Sequence, residues 1–125
     1  MLNSTLELVV DKKTNPNVWK VDFFGNLDSY SLQTKKKEIL DFIEAVEPQT
    51  LLFYFTGLNF INSESIGLVL HISEKLAEKK KKLVLVGAKK NVFQVLDVIG
   101  AFELVPHYRS YEDYLRPQVN ANPVN

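Results

Sequence analysis

With 46% hydrophobic content and 15 basic against 15 acidic side chains, this 125-residue chain can bury one core without help from metals or disulfides. The balanced charge offers no positive field to gather phosphates, so nucleic acid is not an expected partner. The absence of cysteine excludes disulfides, thiol catalysis and thiolate metal sites; no signal peptide or long apolar run is visible, so a cytoplasmic location without direct membrane insertion is expected.

The first predicted strand covers Leu6 to Val10, and a turn cluster, DKKTNPN, separates it from a second strand, Val18 to Phe24. Alternation in the second strand sets Trp19, Val21 and Phe23 against Val18, Lys20, Asp22 and Phe24, and the two strands read as a hairpin. Gly25-Asn26-Leu27-Asp28 is a tight exit into a helix from about Ser31 to Val46, with Leu32, Ile39, Ile43 and Val46 at helical spacing; Pro48 ends it. The third strand, Leu51 to Phe55, is apolar throughout, as a strand buried on both faces should be, and is expected to break at Thr56-Gly57.

A short apolar link, Leu58 to Ile61, then leads to four small or polar residues, Asn62-Ser63-Glu64-Ser65, directly before a second helical pattern carried by Ile66, Val69, Leu70, Leu76 and Ala77. The first amides of a helix lack intrahelical acceptors and carry partial positive charge, so this tetrad stands where a carboxylate or a phosphate is favoured. Asn62 or Ser63 serves as the N-cap, and Glu64 lies in the first turn. Leu68 and Ile72 fall one turn apart, off the main apolar face. They form a small docking patch beside the tetrad unless a neighbouring element covers them.

Lys79 to Lys82 reads as a solvated helix end before a fourth strand, Leu83 to Val86, stopped by Gly87. A third helix from about Asn91 to Ile99 buries Val92, Phe93, Leu96 and Ile99 and is capped by Gly100. A fifth strand is expected at Phe102 to Val105, and Ser110 caps a last helix carrying Tyr111, Tyr114 and Leu115. The tail from Pro117 has little to bury and is expected to be disordered, which gives one domain over 1–116 and a tail over 117–125. Alternating strands and helices from Val18 onward imply an α/β fold with a mostly parallel sheet and an antiparallel first strand at its edge.

Catalytic chemistry finds little footing. His71 lies within the second helix and His107 follows Pro106, and neither has a placeable partner. The glycines are dispersed rather than grouped into a phosphate loop, and no metal-ligand spacing occurs. The third strand ends Phe55-Thr56, without the aspartate that a receiver domain would need there. Neither an enzyme nor a cofactor is expected.

Four segments together resemble the STAS domain of bacterial anti-sigma factor antagonists. Gly25 to Asp28 is similar to the family's G-x-L-D, and Phe60 to Gly67 to its F-I-D-S-S-G-L-G; Asn91 to Phe102 resembles its helix ending in a glycine, and Ser110 to Leu115 its S-x-E-E-A-L. The resemblance implies a mixed, mostly parallel sheet of about five strands with four helices. It also implies partner-switching regulation of transcription by protein–protein binding, with an anti-sigma factor serine kinase and a PP2C-type phosphatase as partners. In that family the second serine of D-S-S-G is phosphorylated.

Here Glu64 stands at that serine, Asn62 at the aspartate and Ser65 at the glycine. The negative charge of the unphosphorylated motif is therefore conserved in number and moved in position. A carboxylate has two acceptor oxygens to a phosphate's three and about half its charge. The resemblance implies a partner-binding STAS domain not switched at position 64, with Asp28, Asn62, Ser63, Glu64, Ser65, Leu68 and Ile72 as the binding and regulatory set and Ser63 or Ser65 as substitute phosphoacceptors. The alternatives are a STAS subunit of a lipid-transport ABC system beside a membrane permease, and a non-switching scaffold, self-associated as a homodimer, in a signalling complex.

Overall fold

A computed structural model describes residues 5–116. Its spine is a pair of long parallel strands, β2 (Val18–Leu27) and β3 (Thr50–Ile61), whose inward side chains are almost all apolar. β1 (Leu6–Asp11) adds antiparallel to β2, and β4 (Lys82–Val86) and β5 (His107–Tyr108) add parallel beyond β3, so the five strands lie in sequence order. The helices are α1 (Ser29–Glu44), α2 (Ser63–Glu78), α3 (Lys90–Ile99) and the short α4 (Tyr111–Leu115). The expected mixed sheet of five strands with four helices is what the chain forms. The tail expected to be disordered lies outside the described residues, as do residues 1–4.

The main core fills the space between one sheet face and α1, α2 and α3. Phe23 packs against Phe53 and Phe55 with ring centroids 4.7 and 5.1 Å apart, and Ile39, Ile43, Ile66, Val69, Ile72, Leu76, Val92 and Leu96 close over the sheet. The opposite face is smaller: Val18, Leu52, Val84 and Val86 lie beneath Tyr111 and Tyr114 of α4. Lys20 sits 4.0 Å over the Tyr111 ring, and the Asn15 side-chain amide donates to the Tyr111 hydroxyl at 2.9 Å, tying the β1–β2 turn to α4.

Three elements differ from the sequence reading. β3 does not break at Thr56-Gly57 but runs twelve residues to Ile61. Gly57 marks a register shift against β2, where a Cβ would lie 2.4 Å from Cδ1 of the Phe24 ring, so this glycine permits a close approach rather than a turn. β2 likewise continues through Gly25 to Leu27. The expected strand at Phe102 to Val105 is instead a 3-10 turn, Ala101–Glu103, because the Ala101 carbonyl accepts from the amides of Leu104 and Val105; the fifth strand is His107–Tyr108. Gly100 closes α3 in the left-handed conformation at φ 85°, as a C-terminal glycine should. Ile99, expected in the core, is 44% exposed.

The patch expected at Leu68 and Ile72 is not an exposed surface. Leu68 is 7% and Ile72 1% exposed, because α2 lies on the sheet between α1 and α3 and is covered over a broader arc than a single stripe. Leu70, placed on the buried face from the sequence, is only partly covered, and Ala77 is exposed.

Candidate functional site

β2 and β3 end in register, Leu27 opposite Ile61, and the Asn62 amide donates to the Leu27 carbonyl at 3.1 Å. The next residue of each strand is a helix N-cap: Asp28 for α1, Asn62 for α2. Two helix N-termini thus emerge side by side from one end of the sheet, and their unsatisfied amides give that end a positive character.

Each cap is built from its own residues. Asp28 Oδ1 accepts from the Ser31 amide at 3.0 Å, and the Ser31 hydroxyl accepts from the Asp28 amide at 3.0 Å, a reciprocal capping box. The buried Ser31 hydroxyl donates in turn to the Asn26 carbonyl at 2.7 Å. Asn62 Oδ1 accepts from the Ser65 amide at 2.9 Å, so Asn62 and not Ser63 is the cap of α2.

A bridge joins the two helices. The Ser29 hydroxyl donates to Glu64 Oε1 at 2.9 Å and accepts from the Asn62 side-chain amide at 3.3 Å. Donor direction runs Asn62 to Ser29 to Glu64, ending on the carboxylate. A hydroxyl has a single proton, so Ser29 can serve one carboxylate at a time. An aspartate at position 62 would remove the amide donor and set a second negative charge against Glu64. Asparagine at 62 and glutamate at 64 are therefore matched through Ser29.

The two serines flanking Glu64 part ways. Ser63 is exposed at the first position of α2, whereas Ser65 is fully buried, and its hydroxyl finds no hydrogen-bond partner among the described residues. Of the two substitute phosphoacceptors, Ser63 alone presents its hydroxyl to solvent. Leu32, Gln33 and Lys36 of α1 continue from Ser29 and Glu64 along an open groove between α1 and α2, with Leu40, Gly67, Leu68 and His71 further down it. Leu68 edges that groove with little surface of its own, and Ile72 lies beneath it in the core.

Ser29 and Ser31 were not among the residues singled out by sequence. Ser31 carried a legible signal, the D-x-x-S spacing of a capping box, but the Ser29–Glu64 contact spans 35 positions and has no local signature. A second polar knot was also missed: the Asn91 side-chain amide donates to the Asn59 backbone carbonyl at 2.8 Å and Lys89 Nζ reaches the Asn59 side chain, fastening the start of α3 to β3.

The histidines lie apart from this end. His71 is exposed on α2. His107 is buried between Phe93 and Phe102, its Nε2 accepts from the Ala88 amide at 3.0 Å, and burial pushes its pKa down to about 4, so the neutral ring is the folded form. Among the described residues no three His, Asp or Glu side chains gather as a metal site, and no helix is long and apolar enough to cross a membrane.

The sequence profile of the STAS domain matches residues 9–114. Among solved structures, an anti-sigma factor antagonist from Mycobacterium paratuberculosis superposes with a TM-score of 0.76 at 19% identity, over 89% of this chain and 92% of that one. The anti-sigma factor antagonist SpoIIAA in its unphosphorylated form gives 0.68 at 20% identity, over 89% and 93% of the two chains. An anti-sigma-factor antagonist (STAS) domain protein from Planctomyces limnophilus gives 0.74 at 20% identity, over 86% and 93%. At these identities the likeness is one of fold.

Proposed function

The chain belongs to the STAS domain family, and on that footing we propose that it is a protein-binding module of the anti-sigma factor antagonist type. It works by partner switching in the regulation of transcription and is not switched by phosphate at position 64. The observation that carries this reading is a carboxylate, Glu64, in the first turn of α2, fastened by Ser29 to the first turn of α1; the motif resemblance sets it against the family's phosphorylated serine. The fold family and its solved relatives, one of them described in phosphorylated form, support the partner class.

The binding face comprises the two helix N-termini with Asp28, Ser29, Asn62, Ser63 and Glu64, and the groove running down between α1 and α2. Its partner is a bacterial anti-sigma factor serine kinase in the cytoplasm, with a PP2C-type phosphatase acting on whatever phosphate the module carries. Of the two serines flanking Glu64, Ser63 is the one such a kinase reaches. The protein acts by binding rather than catalysis. Glu64 holds the face in one electrostatic state: its single charge equals that of the unphosphorylated family motif, and it falls short of the nearly two charges and three oxygens of a phosphate.

The test is affinity capture with the chain and its Glu64→Ser variant side by side. Recovery of a serine kinase, with different retention by the two baits, is the expected result. Recovery of a permease and its ATPase, identical for both, would overturn the reading in favour of a transport subunit. Self-association without a kinase would overturn it in favour of a scaffold.

A further inference from the structure

The C-terminal half of α1 covers the sheet incompletely. β1 is the edge strand, and Leu8 and Val10 pair with Phe23 and Val21 of β2. Between this corner and the underside of α1 lies a cavity of about 150 Å³, floored by Val21, Phe23 and Phe53, roofed by Ile39 and Phe42, and open past Val10. Val21, Phe23, Ile39 and Phe53 are all buried, while Val10 is 41% exposed and marks the mouth. Among the described residues the one polar side chain on the lining is Glu38, an exposed residue whose carboxylate pairs with Lys35 at 3.8 Å.

An ordered water needs two to four polar partners, which the buried walls of this cavity do not supply. Dry cavities of about this size, walled by aliphatic and aromatic side chains, admit benzene or xenon. The geometry points to a binding site for small uncharged apolar molecules of single-ring size, held under α1 about 15 Å along the helix from Ser29. An anionic ligand is disfavoured, because its charge would be desolvated against apolar walls on which the Glu38 carboxylate is the charge present. This site is separate from the partner-binding face, and its test does not depend on any partner.

The experiment is a titration of the full chain with benzene, followed by the methyl resonances of Val21, Leu8 and Ile39, with benzoate as the charged counterpart. Saturable shifts confined to the cavity methyls are expected for benzene and not for benzoate. At ten times its dissociation constant benzene shifts the folding equilibrium about elevenfold, read as a raised Tm. Val10→Phe plugs the mouth from a half-exposed edge position and removes both responses; Ile39→Phe, filling from the helix side, is the second variant. Absence of saturable shifts, equal responses in a plugged and folded variant, or benzoate binding as tightly as benzene would each overturn the assignment.

Discussion

Ser65 carries a hydroxyl that is fully buried at the third position of α2 and without a hydrogen-bond partner among the described residues. Removing it by Ser65→Ala keeps the backbone bond to Asn62 Oδ1, because that bond uses the Ser65 amide. An unsatisfied buried hydroxyl costs about 1–3 kcal/mol. Against this stands the void left by one oxygen, roughly 0.3 kcal/mol for a residual volume near 12 Å³. Alanine is also the better helix former by a few tenths of a kcal/mol. The net expectation is stabilisation by about 1 kcal/mol, a rise in Tm of about 4 °C for a domain of this size. Urea unfolding followed by the fluorescence of the single tryptophan, Trp19, which is buried, measures it; the slope should not change. Ser65→Gly, which introduces the glycine of the motif that this segment resembles, should fall about 1 kcal/mol below alanine through helix propensity alone. Destabilisation of Ser65→Ala by 1 kcal/mol or more would refute the reasoning, since it would mean that the hydroxyl is bonded in the folded chain.

Asn62→Ala removes the α2 cap and should cost about 1 kcal/mol, seen as an earlier urea midpoint, while Asn62→Asp keeps the cap acceptor but sets two carboxylates around the Ser29 hydroxyl. The Asp variant should therefore be less stable than wild type at pH 7 and recover in the Asn62→Asp, Glu64→Gln double variant, a coupling that a double-mutant cycle reads directly. Ile72→Ala opens the core and should cost about 2–5 kcal/mol, as expected of a packed side chain and not of a docking surface. His107 has a folded pKa of about 4 against an ordinary value of 6.5, so between these pH values the unfolded chain binds the extra proton. Its contribution is present above pH 6.5 and declines by up to about 3 kcal/mol as the pH falls to 4; His107→Phe should lack this component of the acid destabilisation in unfolding curves at pH 7, 5.5 and 4.5.

The order of strands and helices was legible because it rests on local signals: alternation in Val18 to Phe24, an apolar run at Leu51 to Phe55, and capping residues before α2 and α4. Elements decided by contacts remote in sequence were not. Gly57 looks like a turn residue until the Phe24 ring is seen to occupy the place of its missing Cβ, and β3 passes straight through. Phe102 to Val105 has strand-like composition, yet the left-handed Gly100 throws the chain into a helical turn, and sheet pairing waits for His107. Leu68 and Ile72 read as off-face on a single-stripe helix, but α1 and α3 flank α2 and bury it more widely. At the site, the cap residues were readable from their spacing, and the Ser29 bridge, made across 35 positions, was not.

Phosphorylation of the chain and of its Glu64→Ser variant in source-cell lysate with ATP, read by intact mass and peptide mapping, tests the central claim most directly. The variant is expected to gain one phosphate at position 64 and the native chain to take none there, with any native modification confined to the exposed Ser63. A native chain phosphorylated on the buried Ser65, or a variant left unmodified at position 64 by a lysate that phosphorylates other STAS antagonists, would contradict it.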